Sequence, residues 1–209
     1  MREPVPTVYV VDDDPEVLKA IERLLESIGL NVATFSSPHR FLESYDRNAP
    51  GCLVLDLALP GLSGLDVQRV LEQQGSVLPI VFLTGRGNIA ASVQAMKHGA
   101  ADFLTKPVDD TALIAAIREA LARNRVLRPA HMERERIAKC LATLTGRERQ
   151  VLELIVAGRL NKEIAVELGA TEKTIKFHRG NLMRKMGVRV VADLVKLAER
   201  AGVGATPRT

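Results

Sequence analysis

The chain has 209 residues, 46% of them hydrophobic, and its two cysteines, Cys52 and Cys140, are isolated. It has no apolar run near the ~20 residues of a membrane span, and no signal peptide is recognised. These features argue against a membrane protein and against a secreted protein held by disulfides, and they predict a cytoplasmic protein without a membrane partner. Residues 1–120 hold 10 Lys or Arg against 16 Asp or Glu, whereas residues 121–209 hold 19 against 9. This asymmetry predicts two domains, the second facing a polyanion.

The first 121 residues alternate between strand-like and helix-like segments. Runs of β-branched and apolar residues predict strands at 7–11, 31–35, 52–56, 79–84 and 101–105. Apolar residues at helical spacing predict helices at 14–29, 64–74 and 88–98, and two more that open at Ser37-Pro38 and at a capping Asp109. Such alternation is typical of the α/β class, here a five-stranded, doubly wound parallel sheet with helices on both faces.

Residues 122–143 are highly charged and include Pro129. A proline inside a helix removes a hydrogen bond and clashes with the preceding turn. We therefore expect the helix that begins at Asp109 to break at about residue 127, and a partly helical linker to occupy 122–143 between domains at 1–121 and 144–209.

Residues 144–209 contain no convincing strand. Helices are predicted at 146–158, 161–169, 171–187 and 190–202. Asn161 and Thr171 are the expected caps of the second and third helices. A tight turn at Gly169-Ala170 joins these two helices, so the segment is predicted to be a small all-α, four-helix domain of the helix-turn-helix type.

Polar side chains stand at the carboxyl ends of four predicted strands. They are Asp12, Asp13 and Asp14 after the first strand, Asp56 at the third, Thr84 at the fourth and Lys106 after the fifth. Ligands of doubly wound sheets bind at this edge, so these side chains should share one crevice. Clustered carboxylates need a cation, and Mg²⁺ accepts carboxylates and water as ligands. A lysine and a hydroxyl beside them suit phosphoryl transfer to Asp56.

Residues 5–123 resemble the receiver domain of two-component response regulators. The segments VVDDD, VLDLALPGLSG, FLTG and AMKHGAADFLTKP carry the resemblance, in the family's order and spacing. It implies a flavodoxin-like (CheY-like) fold, Mg²⁺ as cofactor and Asp56 as the residue that accepts the phosphoryl group. It further implies that Asp12 and Asp13 are the acidic pair and that Asp13, Asp56 and the Ala58 carbonyl contact the metal directly. Thr84 and Phe103 would be the switch residues. Lys106, joined to Pro107 by a cis peptide, would contact the phosphate.

Two positions depart from common members of that family. Ala58 stands where related regulators often carry Arg or Asn, and the loop after Thr84 reads GRGN where GHGD is usual in the nearest subfamily. Neither departure removes a side-chain ligand. Both bear on the lifetime of the phosphoryl group.

The basic half resembles the LuxR-type helix-turn-helix over LTGRERQVLELIVAGRLNKEIAVELGATEKTIKFHRGNLMRKMGV. Its third helix would enter the major groove of double-stranded DNA. The resemblance places Lys176 and Phe177 at base edges with Arg179 near them, and Lys162, Thr171, Lys173 and Thr174 at phosphates. The expected core is Val151, Leu152, Ile155, Ile164, Leu168, Ile175, Leu182 and Met186. His178 is expected either to contact a phosphate or to form a hydrogen bond between helices. Gly180 has no side chain that could reach a base, so few base contacts are expected at its position.

The two halves in this order resemble the FixJ-like response regulators. The resemblance implies a transcription regulator and not an enzyme, apart from accepting the phosphoryl group and losing it slowly. A sensor histidine kinase would phosphorylate Asp56, and a surface around Val93, Gln94, Lys97 and His98 would then form a homodimer or release the DNA-binding domain. The sequence leaves both mechanisms open. RNA polymerase is a further candidate partner.

Three other functions fit the sequence less well. A phosphatase of the haloacid dehalogenase type needs a second Asp at the position of Ala58. A degenerate receiver that only dimerises would lack acidic or lysine residues that are present here. A flavodoxin-like electron carrier would have a Ser/Thr-rich phosphate loop after the first strand, and this chain has acidic residues there.

Overall fold

The structure, a computed structural model, describes residues 4–85 and 89–203, so positions 86–88 of the divergent loop lie outside it. The strands are β1 (Thr7–Val11), β2 (Asn31–Phe35), β3 (Gly51–Asp56), β4 (Ile80–Thr84) and β5 (Asp102–Thr105). The helices are α1 (Pro15–Ser27), α2 (Pro38–Ser44), α3 (Gly64–Gln73), α4 (Ile89–Lys97), α5 (Asp110–Ala142), α6 (Gly146–Val156), α7 (Asn161–Glu167), α8 (Glu172–Lys185) and α9 (Val191–Arg200). Among the described residues, no helix is long and apolar enough to cross a membrane.

The five strands form one parallel sheet in the order β2-β1-β3-β4-β5. The order reverses between β1 and β3, which makes the sheet doubly wound, as the sequence predicted. Every residue of β3 is buried. This explains why the segment from Cys52 to Leu55 is continuously apolar instead of alternating.

Alternate residues of the strands build two cores, one on each face of the sheet. One face holds Tyr9, Val11, Leu53, Leu55 and Phe82, with Phe41 of α2 and Val67 of α3 packed against them. The other holds Val8, Val10, Cys52, Val54 and Val81, with Leu18 of α1 and Leu113 of α5. The period of two along each strand therefore sends alternate side chains into opposite cores.

The chain divides between Pro129 and Ala130 into two compact units. In the second unit α6, α7, α8 and α9 surround a separate core, which includes Ile137 of α5. The predicted core residues Val151, Leu152, Ile155, Ile164, Ile175, Leu182 and Met186 are buried, and Leu168 is partly buried. The predicted four-helix domain is therefore confirmed.

The predicted break in the helix before Pro129 is wrong, because α5 runs to Ala142 with Pro129 inside it. Tertiary contacts on both sides of the proline stabilise the helix. Asn124 accepts the Gly51 N–H and donates to the Val77 carbonyl, and Arg128 donates to the Asn48 carbonyl. Beyond the proline, Ile137 is 1% exposed in the core of the second unit. These contacts offset the cost of one missing backbone hydrogen bond. The domain limits at residues 121 and 144 stay predictions.

The helix caps follow the sequence at most positions. Asp14 accepts the N–H of Glu16, Asp109 that of Ala112 and Thr171 that of Thr174. The predicted cap Asn161 is wrong: Leu160 occupies the cap position, and Asn161 is the first helical residue of α7. The Glu163 carboxylate accepts the Leu160 N–H at 2.7 Å, so α7 begins without the Asn161 side chain.

Candidate functional site

The carboxyl ends of the strands bring the predicted polar residues to one edge of the sheet. Asp12 follows β1, Asp56 ends β3, Thr84 ends β4 and Lys106 follows β5. The Lys106 N–H donates to the Thr84 carbonyl at 2.7 Å, which extends the ladder to the lysine. Because strand order reverses between β1 and β3, Asp12 and Asp56 flank the point where such sheets bind ligands.

Three carboxylates meet at this edge. Ligand oxygens of Asp12, Asp13 and Asp56 all lie within 4.8 Å of one another. Asp12 and Asp56 are 1% and 6% exposed, whereas Asp13 is exposed. The buried Oδ1 of Asp56 accepts no hydrogen bond. An unsatisfied buried carboxylate oxygen next to two more carboxylates fits a hard divalent cation, whose preferred ligands are oxygens.

Lys106 supplies a positive charge beside this acidic cluster. Its Nζ lies 2.5 Å from Oδ2 of Asp12 and 3.5 Å from Oδ1 of Asp56. Burial by itself would lower the pKa of Lys106, but the hydrogen bond and charge of Asp12, followed by Asp56, outweigh it and raise the pKa. The ammonium is therefore charged, and it is shared unequally between the two carboxylates.

Burial and the neighbouring Asp12 charge destabilise the anionic form of Asp56. Its pKa is raised, first by burial and also by the negative charge of Asp12, while the charge of Lys106 and the N–H of Leu57 act in the opposite direction. A raised carboxyl pKa means that the anion is under-stabilised in the free protein. A cation bound beside Asp56 would relieve that penalty.

The remaining predicted residues of this site are Thr84, Phe103 and Ala58, and the Lys106–Pro107 peptide. Thr84 is 3% exposed at the end of β4, and Phe103 of β5 is half-buried against Phe82, with ring centroids 6.2 Å apart. Ala58 is exposed in the loop after β3. The Lys106–Pro107 peptide is cis, as the resemblance implied.

Gly64 is a site residue that sequence reasoning missed. A Cβ on this first residue of α3 would lie 2.5 Å from the Asp56 carbonyl and 3.0 Å from the Leu57 Cα. The Gly64 N–H also donates to the Leu57 carbonyl at 3.0 Å. Only a glycine allows α3 to approach the Asp56 backbone this closely. The sequence gives no signal for the contact, because glycine also suits the turn expected there.

Most predicted DNA-binding residues are exposed on α7, on α8 or at the cap of α8 in the second unit. Lys162, Thr171, Lys173, Thr174 and Lys176 are exposed, and Phe177 keeps 65% of its surface accessible. His178 is half-buried, with its ring 5.8 Å from that of Phe177.

Arg179 differs from the others. It is half-buried, and its Nη1 donates to Oδ1 of Asn161 at 2.9 Å. The structure therefore pairs Arg179 with α7, although the sequence placed it near the base edges.

Comparisons with known proteins match both units. The family profile described as the response regulator receiver domain covers residues 8–118, and the one described as bacterial regulatory proteins of the luxR family covers 142–198. The response regulator protein TodT of Pseudomonas putida is 44% identical over 200 residues, 96% of this chain and 88% of that protein. The transcriptional regulatory protein FixJ of Azorhizobium caulinodans is 42% identical over 203 residues, 97% and 96% of the two chains.

Solved structures give the same result. The response regulator StyR is 45% identical and superposes with a TM-score of 0.73 over 94% of this chain and 99% of its own. Full-length FixJ from B. japonicum is 37% identical, with a TM-score of 0.55 over 95% and 98% of the two chains. The chain therefore belongs to the two-component response regulators that join a receiver domain to a LuxR-type DNA-binding domain.

Proposed function

We propose that Asp56 is the residue of this regulator that accepts the phosphoryl group. The observation that carries this proposal is the buried Asp56 Oδ1, which accepts no hydrogen bond while Asp12, Asp13 and Lys106 surround it. In the transfer, a carboxylate oxygen of Asp56 bonds to phosphorus as the N–P bond of a phosphohistidine breaks. A sensor histidine kinase would supply that phosphohistidine.

The acidic cluster would hold Mg²⁺ through Asp12, Asp13, Asp56 and the Ala58 carbonyl. When bound, the ion supplies neutralising charge for the phosphoryl oxygens. The chain itself supplies Lys106, whose ammonium lies near enough to Asp56 to neutralise negative charge added there. Members of this family are transcription regulators and not enzymes, apart from the phosphoryl-group chemistry of the receiver.

Thr84 and Phe103 would couple phosphorylation to a change at the surface. Thr84 lies next to the site at the end of β4, and Phe103 is only half-buried, so its ring has room to repack. The responding surface would be α4, where Val93 and Met96 are 48% and 49% exposed. Two mechanisms remain: this surface forms a homodimer, or it releases the DNA-binding domain.

The second unit would read double-stranded DNA with α8 in the major groove. Lys176 and Phe177 would face bases, Arg179 would lie near them, and Lys162, Thr171, Lys173 and Thr174 would contact phosphates. The excess of basic residues in this half supports a polyanionic partner. A regulator of this kind would work in the cytoplasm, with RNA polymerase as a further partner.

The test of the acceptor uses the full-length protein, Mg²⁺ and a small-molecule phosphodonor, with intact mass as the readout. Wild type should gain one phosphoryl group, and Asp56→Asn none. Asp46→Asn is the matched control, because Asp46 is exposed and caps a local turn through one oxygen that Asn retains. Full labelling of the Asp56→Asn protein would refute the assignment.

A second measurement separates the two output mechanisms. Molar mass and duplex affinity are measured with and without the phosphodonor. A doubled mass with tighter binding supports the homodimer, and tighter binding at constant mass supports release of the DNA-binding domain. If neither quantity changes, phosphorylation does not control this protein.

A further inference from the structure

The bond between Arg179 and Asn161 joins the two helices of the helix-turn-helix. Asn161 begins α7, and Arg179 lies in the middle of α8; both are half-buried, and their contact measures 2.9 Å. Leu160 occupies the cap position of α7, so the Asn161 side chain does not cap the helix and its amide oxygen accepts from Arg179 instead.

We propose that Arg179 is a positioning residue that fixes the orientation of α8 on α7 through Asn161, and that it does not read a base. Lys176 and Phe177 would then owe their placement against base edges to this bond. The inference rests on the proposed DNA-binding function, and it revises the role given there to Arg179.

The Arg179–Asn161 bond adds a directional contact to the apolar packing of α7 on α8. Ile164 of α7 and Ile175 of α8 are fully buried in the shared core. Apolar packing decides which face of each helix is buried, but the hydrophobic effect has no preferred direction of its own and leaves small rotations about the helix axis. A guanidinium N–H to an amide oxygen has a preferred distance and angle, and it does restrict that rotation.

Small rotations of α8 matter for base reading. With a helix radius of about 5–6 Å including side chains, a rotation of about 20° moves a side-chain head by about 2 Å. Hydrogen bonds tolerate only a few tenths of an ångström. Arg179 is three residues after Lys176, so the two side chains are neighbours on the helix surface. A bond that holds Arg179 therefore acts close to the residue proposed to contact a base.

The other end of α7 is held independently. The Arg147 guanidinium of α6 donates to the Leu168 carbonyl at the end of α7. With α7 fixed to α6 there, Asn161 offers α8 a stationary point of attachment. The two guanidinium groups thus hold α7 at its opposite ends, one from each neighbouring helix.

The test uses the full-length, phosphodonor-treated protein. Its probe is a duplex that the wild-type protein selects from a random-sequence pool, together with single-base variants and a scrambled form of that duplex. The proteins compared are Asn161→Ala, Arg179→Ala, the double variant, Asn161→Asp, and the exposed α7 control Glu167→Ala. Binding is measured well below each protein's melting temperature.

Positioning predicts that Asn161→Ala lowers discrimination between the selected and single-base-variant duplexes by about tenfold, although it removes no charge and no predicted DNA contact. The double variant should lose no more than either single variant, since the two residues act through one bond. Asn161→Asp keeps the acceptor oxygen and should retain discrimination, as should Glu167→Ala. Affinity of Asn161→Ala for the scrambled duplex should stay within about twofold of wild type.

Two results would overturn the inference. If Asn161→Ala discriminates like wild type while Arg179→Ala does not, Arg179 reads a base. If the two losses add in the double variant, the residues act separately. A wild-type protein that selects no sequence would instead refute the proposed DNA reading itself, and that outcome is visible before any variant is made.

Discussion

Lys106 is bonded to Asp12 at 2.5 Å, a tighter contact than the 3.5 Å that separates the same ammonium from Asp56. The lysine therefore occupies a carboxylate that a cation at this site would also use. Lys106 and a divalent cation compete for the same negative charge, while Asp56 keeps an oxygen without a hydrogen bond.

This competition predicts that Lys106→Ala binds Mg²⁺ more tightly than wild type. Removing one positive charge from beside three carboxylates strengthens their attraction for a divalent cation. We expect a rise in affinity of at least about tenfold, because unit charges about 4 Å apart interact by about 4 kcal/mol at an effective dielectric of about 20. Titration calorimetry measures the change, with the exposed α4 residue Lys97 replaced by Ala as the control. An unchanged or weaker affinity in Lys106→Ala would show that the lysine does not compete. Phosphorylation should nevertheless fail to enhance duplex binding by this variant.

Gly64→Ala should damage the acceptor site through the backbone. The new Cβ would lie 2.5 Å from the Asp56 carbonyl, so the end of β3 or the start of α3 must move. We expect a loss of about 1–3 kcal/mol in the free energy of unfolding and slower labelling of Asp56 by the phosphodonor.

Gly146→Ala is the matched control for that variant. Gly146 is also the first residue of a helix that starts with a capping box, and a Cβ there would meet nothing within 4 Å. Urea unfolding and labelling rates should be near wild type. Equal effects of the two substitutions would mean that the loss comes from glycine at this helix position in general and not from crowding at Asp56.

Asn124→Leu should destabilise the first unit. Asn124 is 3% exposed; its Oδ1 accepts the Gly51 N–H at 3.1 Å and its Nδ2 donates to the Val77 carbonyl at 3.3 Å. Leucine has a similar volume but leaves both backbone groups unpaired, at a cost of about 1–3 kcal/mol. The neighbouring exposed Arg125→Leu should stay within about 0.5 kcal/mol of wild type. Urea unfolding of both variants checks this, and equal stabilities would show that water replaces the lost bonds.

The strands and the acidic site could be predicted because their signals are local. A continuous apolar run such as Cys52 to Leu55 identifies a strand that is buried on both faces, and the parallel order then brings the residue after it to the same edge as Asp12. The unequal sharing of Lys106 could not be predicted, because it depends on where the side chain lies within about 1 Å, the difference between its distances to Asp12 and Asp56.

The helix through Pro129 could not be predicted for a different reason. Local rules favour a break there, and the contacts that oppose it, from Asn124 to Gly51 and from Arg128 to Asn48, join residues 73 and 80 positions apart. Asn161 is a similar case: its residue type suits a cap, but its position next to Arg179 depends on how α8 packs on α7. Sequence patterns carry no information about either contact.

Glu148 predicts a pH dependence for the second unit. The Lys185 ammonium, at 2.6 Å, and the Thr145 N–H hold the pKa of the buried Glu148 carboxyl below its ordinary value of 4.5. Because the folded pKa is the lower one, this contribution to stability is fully present above pH 4.5 and is lost as the pH falls through the lowered pKa. The T-x-x-E spacing of Thr145 and Glu148 predicts the capping box but not the contact with the lysine.

Replacing Glu148 by Gln tests this interaction. The variant should lose about 1–3 kcal/mol at pH 7, because the neutral amide of Gln lacks the negative charge and has a single acceptor oxygen for the Lys185 ammonium and the Thr145 N–H. The difference from wild type should shrink below pH 4. Thermal unfolding at several pH values measures it, and Glu153→Gln, an exposed position on the same helix, serves as the control. A difference that is constant with pH would show that the carboxylate charge is not involved.

Gly180 offers a test of where α8 meets DNA. It lies inside α8, and a Cβ added there would have no atom within 4 Å, so larger residues fit without a clash. Gly180→Ala should stabilise the helix by about 0.5–1 kcal/mol and leave the salt dependence of duplex binding unchanged. Gly180→Lys should keep that gain and add a phosphate contact, which steepens the slope of log affinity against log salt by about 1 and tightens binding to selected and scrambled duplexes alike. Fluorescence anisotropy across a salt series measures the slopes. If both variants give the wild-type slope, this side of α8 does not lie against the DNA backbone.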